Sequence, residues 1–273
     1  MLAFLYQTAF GRLILKILCK PQISELCGRF MDTGASRILI KPFVRKNHID
    51  LSEYETGFSC FNDCFCRRIK PGLRAFCEEE DALCSPCDGL LSVYRVNGDT
   101  VLPVKQSRYT IPDLLRNSRL AEKFTDGCCL VFRLCVNHYH RYSYFDSGSK
   151  GKNIRIPGIL HTVRPIALAR YPVFIQNSRE YTVLHTVHFG DAVQMEVGAM
   201  LVGKISNHHG THRFVRGEEK GCFLYGGSTI IVLLQKNTVK FSDEIEKITG
   251  TGEEKPVRMG DVIGRKYNLS HYS

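Results

Sequence analysis

Apolar residues recur at helical spacing at the start of the chain. The series is Leu2, Leu5, Tyr6, Ala9, Phe10, Leu13, Ile14, Ile17 and Leu18, with Arg12, Lys16 and Lys20 between its members. Spacings of three and four residues place these side chains on one helix face. The pattern predicts a basic amphipathic helix. Its apolar face packs either onto the protein's own core or into a membrane interface.

The helical pattern continues to about residue 80, with breaks at Pro21, Pro42 and Pro71. Basic side chains gather in this part of the chain, namely Lys41, Arg45, Lys46, Arg67, Arg68 and Lys70. We therefore expect residues 1–80 to form a helical N-terminal region that contacts a membrane surface.

After residue 80 the sequence consists of short runs rich in Val, Ile, Tyr and Phe, separated by Gly, Asn, Asp and Pro. Residues 89–96, 192–197 and 230–234 are examples, and they predict strands of a mostly antiparallel sheet. One helix is expected at 111–124, with Pro112 in its first turn. The prediction is an α+β fold in which residues 81–273 form a β-rich, sandwich-like catalytic core.

Charge and cysteine content restrict the partners and the compartment. The 273 residues carry a formal net charge of +10, which favours an anionic membrane face, an acidic substrate or nucleic acid. The 12 cysteines lie mostly in apolar segments, which indicates a reducing cytosol and buried thiols. Cys64-Phe-Cys66 and Cys84-Ser-Pro-Cys87 lack the two well-spaced pairs of a structural zinc site, so no metal site is predicted.

Four polar segments interrupt the apolar pattern. Asp88 lies in a turn before a strand, and His138, Tyr139, His140 and Arg141 follow another strand. Small residues fill 197–203, which indicates close approach of a second backbone or a ligand. Gly-Gly-Ser-Thr at 226–229 precedes an apolar strand, and its glycines would let a serine hydroxyl bend back onto the preceding carbonyl. Each segment alone also fits an ordinary turn or strand end.

Taken together and in order, these segments resemble the phosphatidylserine decarboxylase family along nearly the whole chain. The matching motifs are Ser-Pro-Cys-Asp-Gly at 85–89, Tyr-His-Arg at 139–141, Thr-Val-Arg-Pro-Ile-Ala at 162–167, Asn-Ser-Arg-Glu-Tyr at 177–181, Val-Gly-Ala-Met-Leu-Val-Gly at 197–203 and Gly-Gly-Ser-Thr at 226–229. Gly-Gly-Ser-Thr, together with Phe-Asn-Asp at 61–63, is similar to the bacterial branch.

The resemblance implies a proenzyme that makes its own cofactor. Ser228 would attack the carbonyl of Gly227, and the chain would divide into a β chain, 1–227, and an α chain, 228–273, which remain associated. Ser228 would become a pyruvoyl group that forms a Schiff base with phosphatidylserine. The products would be phosphatidylethanolamine and CO2, made at the cytoplasmic face of a bacterial cell membrane by a peripheral enzyme.

The resemblance also assigns residues. Ser228, Asp88 and His140 would be catalytic, Gly227 and Ser228 would form the cleavage site, and Thr229, Tyr139, Arg141 and His188 would bind substrate or the oxyanion. The family's relay histidine falls at position 143, where this chain has Ser143. A hydroxyl is not a general base near neutral pH, so another histidine is needed. The candidates are His140, His185 and His188, and His140 paired with Asp88 is favoured.

Three alternatives remain open. A membrane-surface lipid-binding homologue that has lost self-processing would explain Ser143. A cysteine-rich metal-binding module is a second reading, and nucleic-acid binding explains the charge but not the Gly-Ser bond. No nucleic-acid partner is therefore expected. A homodimer is one option for the assembly, and the sequence does not decide the oligomeric state.

Overall fold

The computed structural model describes residues 2–97, 101–104, 107–200, 204–224 and 228–267, and for 101–104 and 107–108 it describes the backbone only. Its N-terminal part is helical: α1 (Leu2–Gln7), α2 (Ala9–Leu18), α3 (Pro21–Met31), a 3-10 turn (Gly34–Leu39), α4 (Ile40–Lys46) and α5 (Phe61–Phe65). Turns and irregular chain then lead to the first strand.

Strands dominate from Ala82 onward. In chain order the elements are β1 (Ala82–Cys84), β2 (Gly89–Arg95), β3 (Val101–Val104), β4 (Ser107–Thr110), α6 (Ile111–Leu115), α7 (Ser118–Glu122), β5 (Cys128–Leu134), β6 (Arg141–Ser143), β7 (Gly148–Lys150), β8 (Ile154–Ile156), α8 (Pro165–Leu168), α9 (Val173–Gln176), β9 (Arg179–Thr186), β10 (Asp191–Val197), β11 (Lys204–Asn207), β12 (His212–Phe214), β13 (Glu219–Leu224), β14 (Ser228–Leu234), β15 (Val239–Phe241), α10 (Asp243–Ile248), β16 (Lys255–Val257) and β17 (Val262–Lys266).

The central sheet has nine strands in the order β12-β7-β9-β10-β14-β5-β2-β16, with β8 also paired to β9. Its β14 is buried at every position and lies between β10 and β5. Two three-stranded sheets, β1-β17-β15 and β11-β13-β6, and the β3-β4 hairpin complete the strands of the described chain. The ladders between these strands are antiparallel, so the α+β prediction with a mostly antiparallel sheet is confirmed.

The second sheet, β11-β13-β6, covers one face of the central sheet. Lys220 on β13 reaches Glu196 on β10, with 2.8 Å between Nζ and Oε1, and both side chains are fully buried. Asn207 on β11 donates to Glu180 on β9 at 2.7 Å. Buried charges persist in proteins when they are paired and hydrogen-bonded in this way.

The N-terminal segment folds as two helices because Thr8 interrupts the pattern. The Thr8 hydroxyl accepts a hydrogen bond from the Gly11 amide at 2.9 Å and so caps α2. A Cβ on Gly11 would lie 2.0 Å from the Phe4 carbonyl oxygen, so only glycine lets the helices pack this closely. Leu5 and Leu15 are buried against the core.

The helix expected at 111–124 is also divided. Arg116 adopts a left-handed conformation with φ of 48°, which ends α6, and Asn117 caps α7 through its side chain. All twelve cysteines are free thiols and eight of them are buried, as expected for small apolar side chains.

Candidate active site

Ser228 is the first residue of the central strand β14 and is fully buried. It pairs with Leu134 on β5, and the next residue, Thr229, pairs with Val197 on β10. Within the described part of the chain, its hydroxyl has no hydrogen-bond partner. Gly227, the other half of the expected cleavage site, lies outside the described residues.

The strand register brings the Asp-Gly motif to the same edge of the sheet as Ser228. Leu90 on β2 faces Arg133 on β5, and Arg133 faces Thr229 on β14. Asp88 immediately precedes β2, Ser228 begins β14, and both strands pair with β5. Asp88 and Ser228 therefore lie at the same end of the sheet. Strands are spaced by about 4.8 Å, which puts about 10 Å between the backbones of β2 and β14.

The Asp88 carboxylate is buried and already has three donors. Arg74 donates to both oxygens at 3.2 Å, and the Met259 amide donates to Oδ1 at 2.8 Å. Burial alone would lower the pKa of Arg74, but hydrogen bonds and charges from Asp88 and Glu53 raise it well above its usual value. These hydrogen bonds hold the Asp88 side chain in a fixed orientation.

Position 143, where the family has its relay histidine, lies beside this carboxylate. The Ser143 amide donates to the Pro86 carbonyl at 2.9 Å, and its hydroxyl donates to the Met259 sulfur at 3.4 Å. Met259 in turn contacts Asp88 through its amide. A small hydroxyl and a thioether therefore occupy the space next to the carboxylate in which an imidazole was expected.

The described contacts of His140 are with other residues, and its pairing with Asp88 stays a prediction. The His140 Nδ1 lies 3.0 Å from the His138 carbonyl oxygen, and its ring centroid lies 4.1 Å from that of Phe65. His140 and Ser143 are three positions apart in an extended segment, so their side chains project to opposite faces.

The backbone nevertheless places His140 next to the expected cleavage segment. Its carbonyl accepts a hydrogen bond from the Phe223 amide at 2.9 Å, two residues before position 225. A carbonyl oxygen only accepts, so Nδ1 must carry the proton, and Nε2 of the neutral ring is the basic nitrogen. His140 is thus a buried imidazole with its basic nitrogen defined.

His185 and His188, the other relay candidates, lie at the opposite end of the sheet. His185 pairs with Asp191 at the start of β10. His188, in the β9–β10 turn, donates from Nδ1 to the Asp146 carboxylate at 2.8 Å. Six positions of β14 separate that end from Ser228, which is about 20 Å of strand. The substrate or oxyanion role expected for His188 is therefore corrected, because its side chain is out of reach of Ser228.

The three remaining predicted contact residues are all engaged or buried. Arg141 donates to the Cys66 carbonyl at 2.8 Å and to Glu219 at 2.7 Å. Tyr139 packs on Tyr54, and burial raises the pKa of its hydroxyl well above the usual value. Thr229 is buried, and strand alternation directs its side chain to the face opposite Ser228.

Two features of the site were missed in the sequence. His138 lines a cavity of about 460 Å³ together with Asp88 and Arg74; burial lowers the pKa of His138, and the Asp88 charge acts against that shift. The buried Glu196 lies on the Ser228 face of the sheet, since it and Ile230 are a cross-strand pair. Burial raises the pKa of Glu196 despite Lys220. A charged residue inside an apolar strand was the signal for Glu196.

A second cavity, of about 390 Å³, opens at the same sheet edge. Its wall includes α3, Ser178, Lys204 and Leu224, the last residue of β13 before the 225–227 segment. Ser178 accepts a hydrogen bond from the Gly198 amide at 2.9 Å, and Gly198 follows the residue that pairs with Thr229. The charged residues around this cavity are Arg29, Arg155, Arg179, Lys204, Glu25, Asp32 and Glu180.

Comparisons with known proteins give the class of this site. The chain is similar to a phosphatidylserine decarboxylase proenzyme 2 of Clostridium acetobutylicum, with 42% identity over 96% of this chain and 91% of the relative. Phosphatidylserine decarboxylase proenzymes of Ruminiclostridium cellulolyticum and Clostridium botulinum are 40% and 38% identical, over 95% and 96% of this chain and 89% and 91% of theirs.

These relatives identify the chain as a decarboxylase, that is, a carboxy-lyase. The sequence model of one family, described as phosphatidylserine decarboxylase, matches residues 61–265. The chain belongs to this family, and the resemblance found in its motifs is confirmed.

Proposed function

We propose that the chain is a self-processing phosphatidylserine decarboxylase, which converts phosphatidylserine into phosphatidylethanolamine and CO2. One observation carries the proposal beyond family membership. Ser228 is a fully buried serine at the first position of a central strand, and its hydroxyl has no hydrogen-bond partner in the described chain. Buried hydroxyls are normally paired, so an orphan of this kind points to a reacting group.

Self-processing begins at that hydroxyl. Ser228 Oγ attacks the Gly227 carbonyl and takes over the acyl group from the Ser228 nitrogen, so an ester replaces the peptide bond. Loss of the Ser228 α-proton then expels the Gly227 carboxylate and leaves a dehydroalanine. Its tautomer takes up water and releases ammonia, which yields the pyruvoyl group at residue 228. The products are the β chain 1–227 and the α chain 228–273.

His140 is the proposed base for these proton transfers. Its backbone is bonded to Phe223, close to the cleavage segment, and its Nε2 is the basic nitrogen. Asp88 is the proposed source of negative charge that stabilises a protonated imidazole at this edge of the sheet, and His138 shares its cavity. General acid–base catalysis by a positioned side chain contributes about 10²–10⁴-fold to a rate.

The position of Ser228 suits a pyruvoyl group, because the site is buried, sealed from bulk water and at the end of a strand. When formed, the group supplies the electron sink for decarboxylation of an amine-bearing substrate. The surrounding chain would orient that substrate and exclude water. This enclosure is proposed to be shaped by Thr229, Tyr139 and Arg141, because their side chains are buried or make hydrogen bonds within the protein.

The cavity beside α3 is the proposed headgroup site. A phosphatidylserine headgroup carries a phosphate, a carboxylate and an ammonium group. Arg29, Arg155 and Lys204 offer cations for the two anions, and Glu180 offers a carboxylate for the ammonium. Because Leu224 and Lys204 line this cavity, a bound headgroup would lie next to the cleavage segment.

The helices at this side of the protein are the proposed membrane-contact surface. Several large apolar side chains project from them into solvent: Phe10 is 66% exposed, Leu13 59%, Ile17 53%, Leu26 67% and Ile38 76%. Arg12, Lys16 and Lys20 lie among them. On an anionic bilayer each such cation contributes about 1 kcal/mol.

We propose that the enzyme binds the cytoplasmic face of the membrane through these helices, as a peripheral protein. No helix in the described part of the chain is long and apolar enough to cross a bilayer.

Ser143 supports the alternative of a lipid-binding homologue that does not process itself. Two measurements separate the functions. Mass spectrometry of purified wild type, Ser228→Ala and the control Ser118→Ala, an exposed helix serine, should find a blocked fragment starting at residue 228 in all but Ser228→Ala. When incubated with phosphatidylserine vesicles, wild type and Ser118→Ala should both form ethanolamine lipid. Equal product from Ser228→Ala and wild type would disprove the decarboxylase, and an uncut wild type that binds vesicles would favour the alternative.

A further inference from the structure

Three metal-ligating side chains converge around the short strand β12, outside the proposed active site. His212 begins β12, Glu218 immediately precedes β13, and His209 lies in the connection before β12. One nitrogen of each histidine and one oxygen of Glu218 all lie within 4.8 Å of one another. His212 Nε2 is 2.7 Å and His209 Nδ1 is 4.0 Å from the same Glu218 oxygen, Oε1.

The backbone of this cluster is fixed by other contacts. The second Glu218 oxygen, Oε2, accepts a hydrogen bond from the Val215 amide at 3.1 Å, so Oε1 is left facing the histidines. The His209 carbonyl accepts from Lys150 at 2.7 Å and from Asn153 at 3.2 Å. Outer contacts of this kind orient the ligands of protein metal sites.

His209 Nδ1 is the group that the fold leaves unexplained. This atom is buried within a side chain that is 33% exposed, and it has no hydrogen-bond partner in the described part of the chain, although it faces Glu218. The neighbouring His208 does not share this situation, because its Nε2 lies 2.6 Å from Glu219. Burying a ring nitrogen without a hydrogen-bond partner costs free energy of folding unless a ligand binds to that nitrogen.

We propose that His209, His212 and Glu218 bind one divalent first-row transition-metal ion, with water at a fourth position. Two histidines and one glutamate are a recurrent set for Zn²⁺, and tetrahedral ligands about 2.0–2.1 Å from the ion lie about 3.4 Å apart. The two distances to Glu218 Oε1, 2.7 and 4.0 Å, bracket that value. Modest side-chain movement therefore gives the coordination geometry.

One movement is required. The His209 and His212 rings are stacked, with centroids 3.9 Å apart and 13° between their planes. Parallel stacked rings do not direct two lone pairs at one ion, so one ring must turn on binding. His209 is the ring expected to turn, since its Nδ1 has no hydrogen bond to lose.

The proposed metal site is separate from the proposed active site. Strand β13 runs from Glu219 to Leu224 between the two, which is about 20 Å. All three ligands belong to residues 1–227, so the ion would link the two connections that flank β12 within the β chain. Decarboxylation is not expected to depend on it.

Zinc binding to the full-length, chelator-treated protein tests the proposal. Wild type should bind one Zn²⁺ per chain by titration calorimetry, and both His212→Ala and Glu218→Gln should lower the affinity at least about tenfold. His208→Ala is the matched control, because it removes a histidine of the same connection that faces Glu219, and it should bind as wild type does. Circular dichroism of each variant shows whether it is folded.

Cobalt replaces zinc to identify the ligands. Co²⁺ bound to nitrogen and oxygen gives the intense visible bands of a four-coordinate ion without thiolate charge transfer. A thiolate band would assign the metal to the cysteines and overturn the proposal. It would equally be overturned if wild type bound no zinc, or if the folded His212→Ala and Glu218→Gln variants both bound it as wild type does.

Discussion

The departure at Ser143 yields the sharpest prediction, namely that restoring an imidazole there accelerates self-processing. The Asp88 carboxylate offers about four acceptor positions, of which Arg74 and the Met259 amide fill three. The remaining position, on Oδ2, would accept an imidazole N–H. The Met259 side chain occupies the intervening space, 3.4 Å from Ser143 Oγ.

The test variant is therefore Ser143→His combined with Met259→Ala. Ser143→His alone would overpack a buried site at a cost of about 1–3 kcal/mol, which would obscure its effect on the rate. An imidazole between Asp88 and the Ser228 edge should raise the processing rate about 10²–10⁴-fold. This corresponds to a barrier lower by about 3–5 kcal/mol.

The assay is a pulse-labelled, cell-free synthesis followed on gels by the appearance of the fragment 228–273. Met259→Ala alone is the reference, and adding Asp88→Asn to the double variant should remove most of the gain. A folded double variant that processes no faster than Met259→Ala would refute the assignment of position 143 as an empty relay site. His140→Ala should slow wild type by a similar factor, and the double variant should rescue it.

Three further predictions concern stability and substrate binding. Lys220→Met leaves the buried Glu196 without its cation, so it should lower the free energy of unfolding by about 3–5 kcal/mol, and adding Glu196→Gln should recover most of that loss in denaturant titrations. Burial lowers the pKa of His161 from 6.5 to about 4. The unfolded chain therefore binds the proton more readily than the folded chain does. In Ser228→Ala protein the free energy of unfolding should fall by about 3 kcal/mol as the pH drops from 6.5 to 4, and His161→Gln should remove that dependence. Lys204→Gln should raise the KM for phosphatidylserine about tenfold through loss of a charged contact, whereas the exposed Lys240→Gln should not.

Local patterns predicted which segments form strands and turns better than they predicted which segments contact each other. The apolar run that became β14 was visible as a buried strand, and the turn before Gly89 was visible as Asp-Gly. The contact between Asp88 and Met259 joins residues 171 positions apart. No local pattern predicts such a contact, because it depends on the order in which strands enter the sheets.

The candidate site shows the same division. The motifs identified Ser228, Asp88 and the substitution at Ser143, since these depend only on residue identity and order. They did not predict that the His140 ring packs on Phe65, because that contact joins residues 75 positions apart in the sequence. His185 and His188 were retained as candidates because sequence alone did not show which end of the sheet their turn occupies.

The position of the expected cleavage explains how one fold can serve both precursor and enzyme. Strand β13 ends at Leu224 in the three-stranded sheet, whereas β14 begins at Ser228 in the nine-stranded sheet. All described pairs of β13 lie before a cut between residues 227 and 228, and all described pairs of β14 lie after it. The α chain keeps its pairing with β5 and β10 on both sides. The proposed pyruvoyl group at residue 228 would therefore lie at a buried strand end between β5 and β10, both of which belong to the proposed β chain.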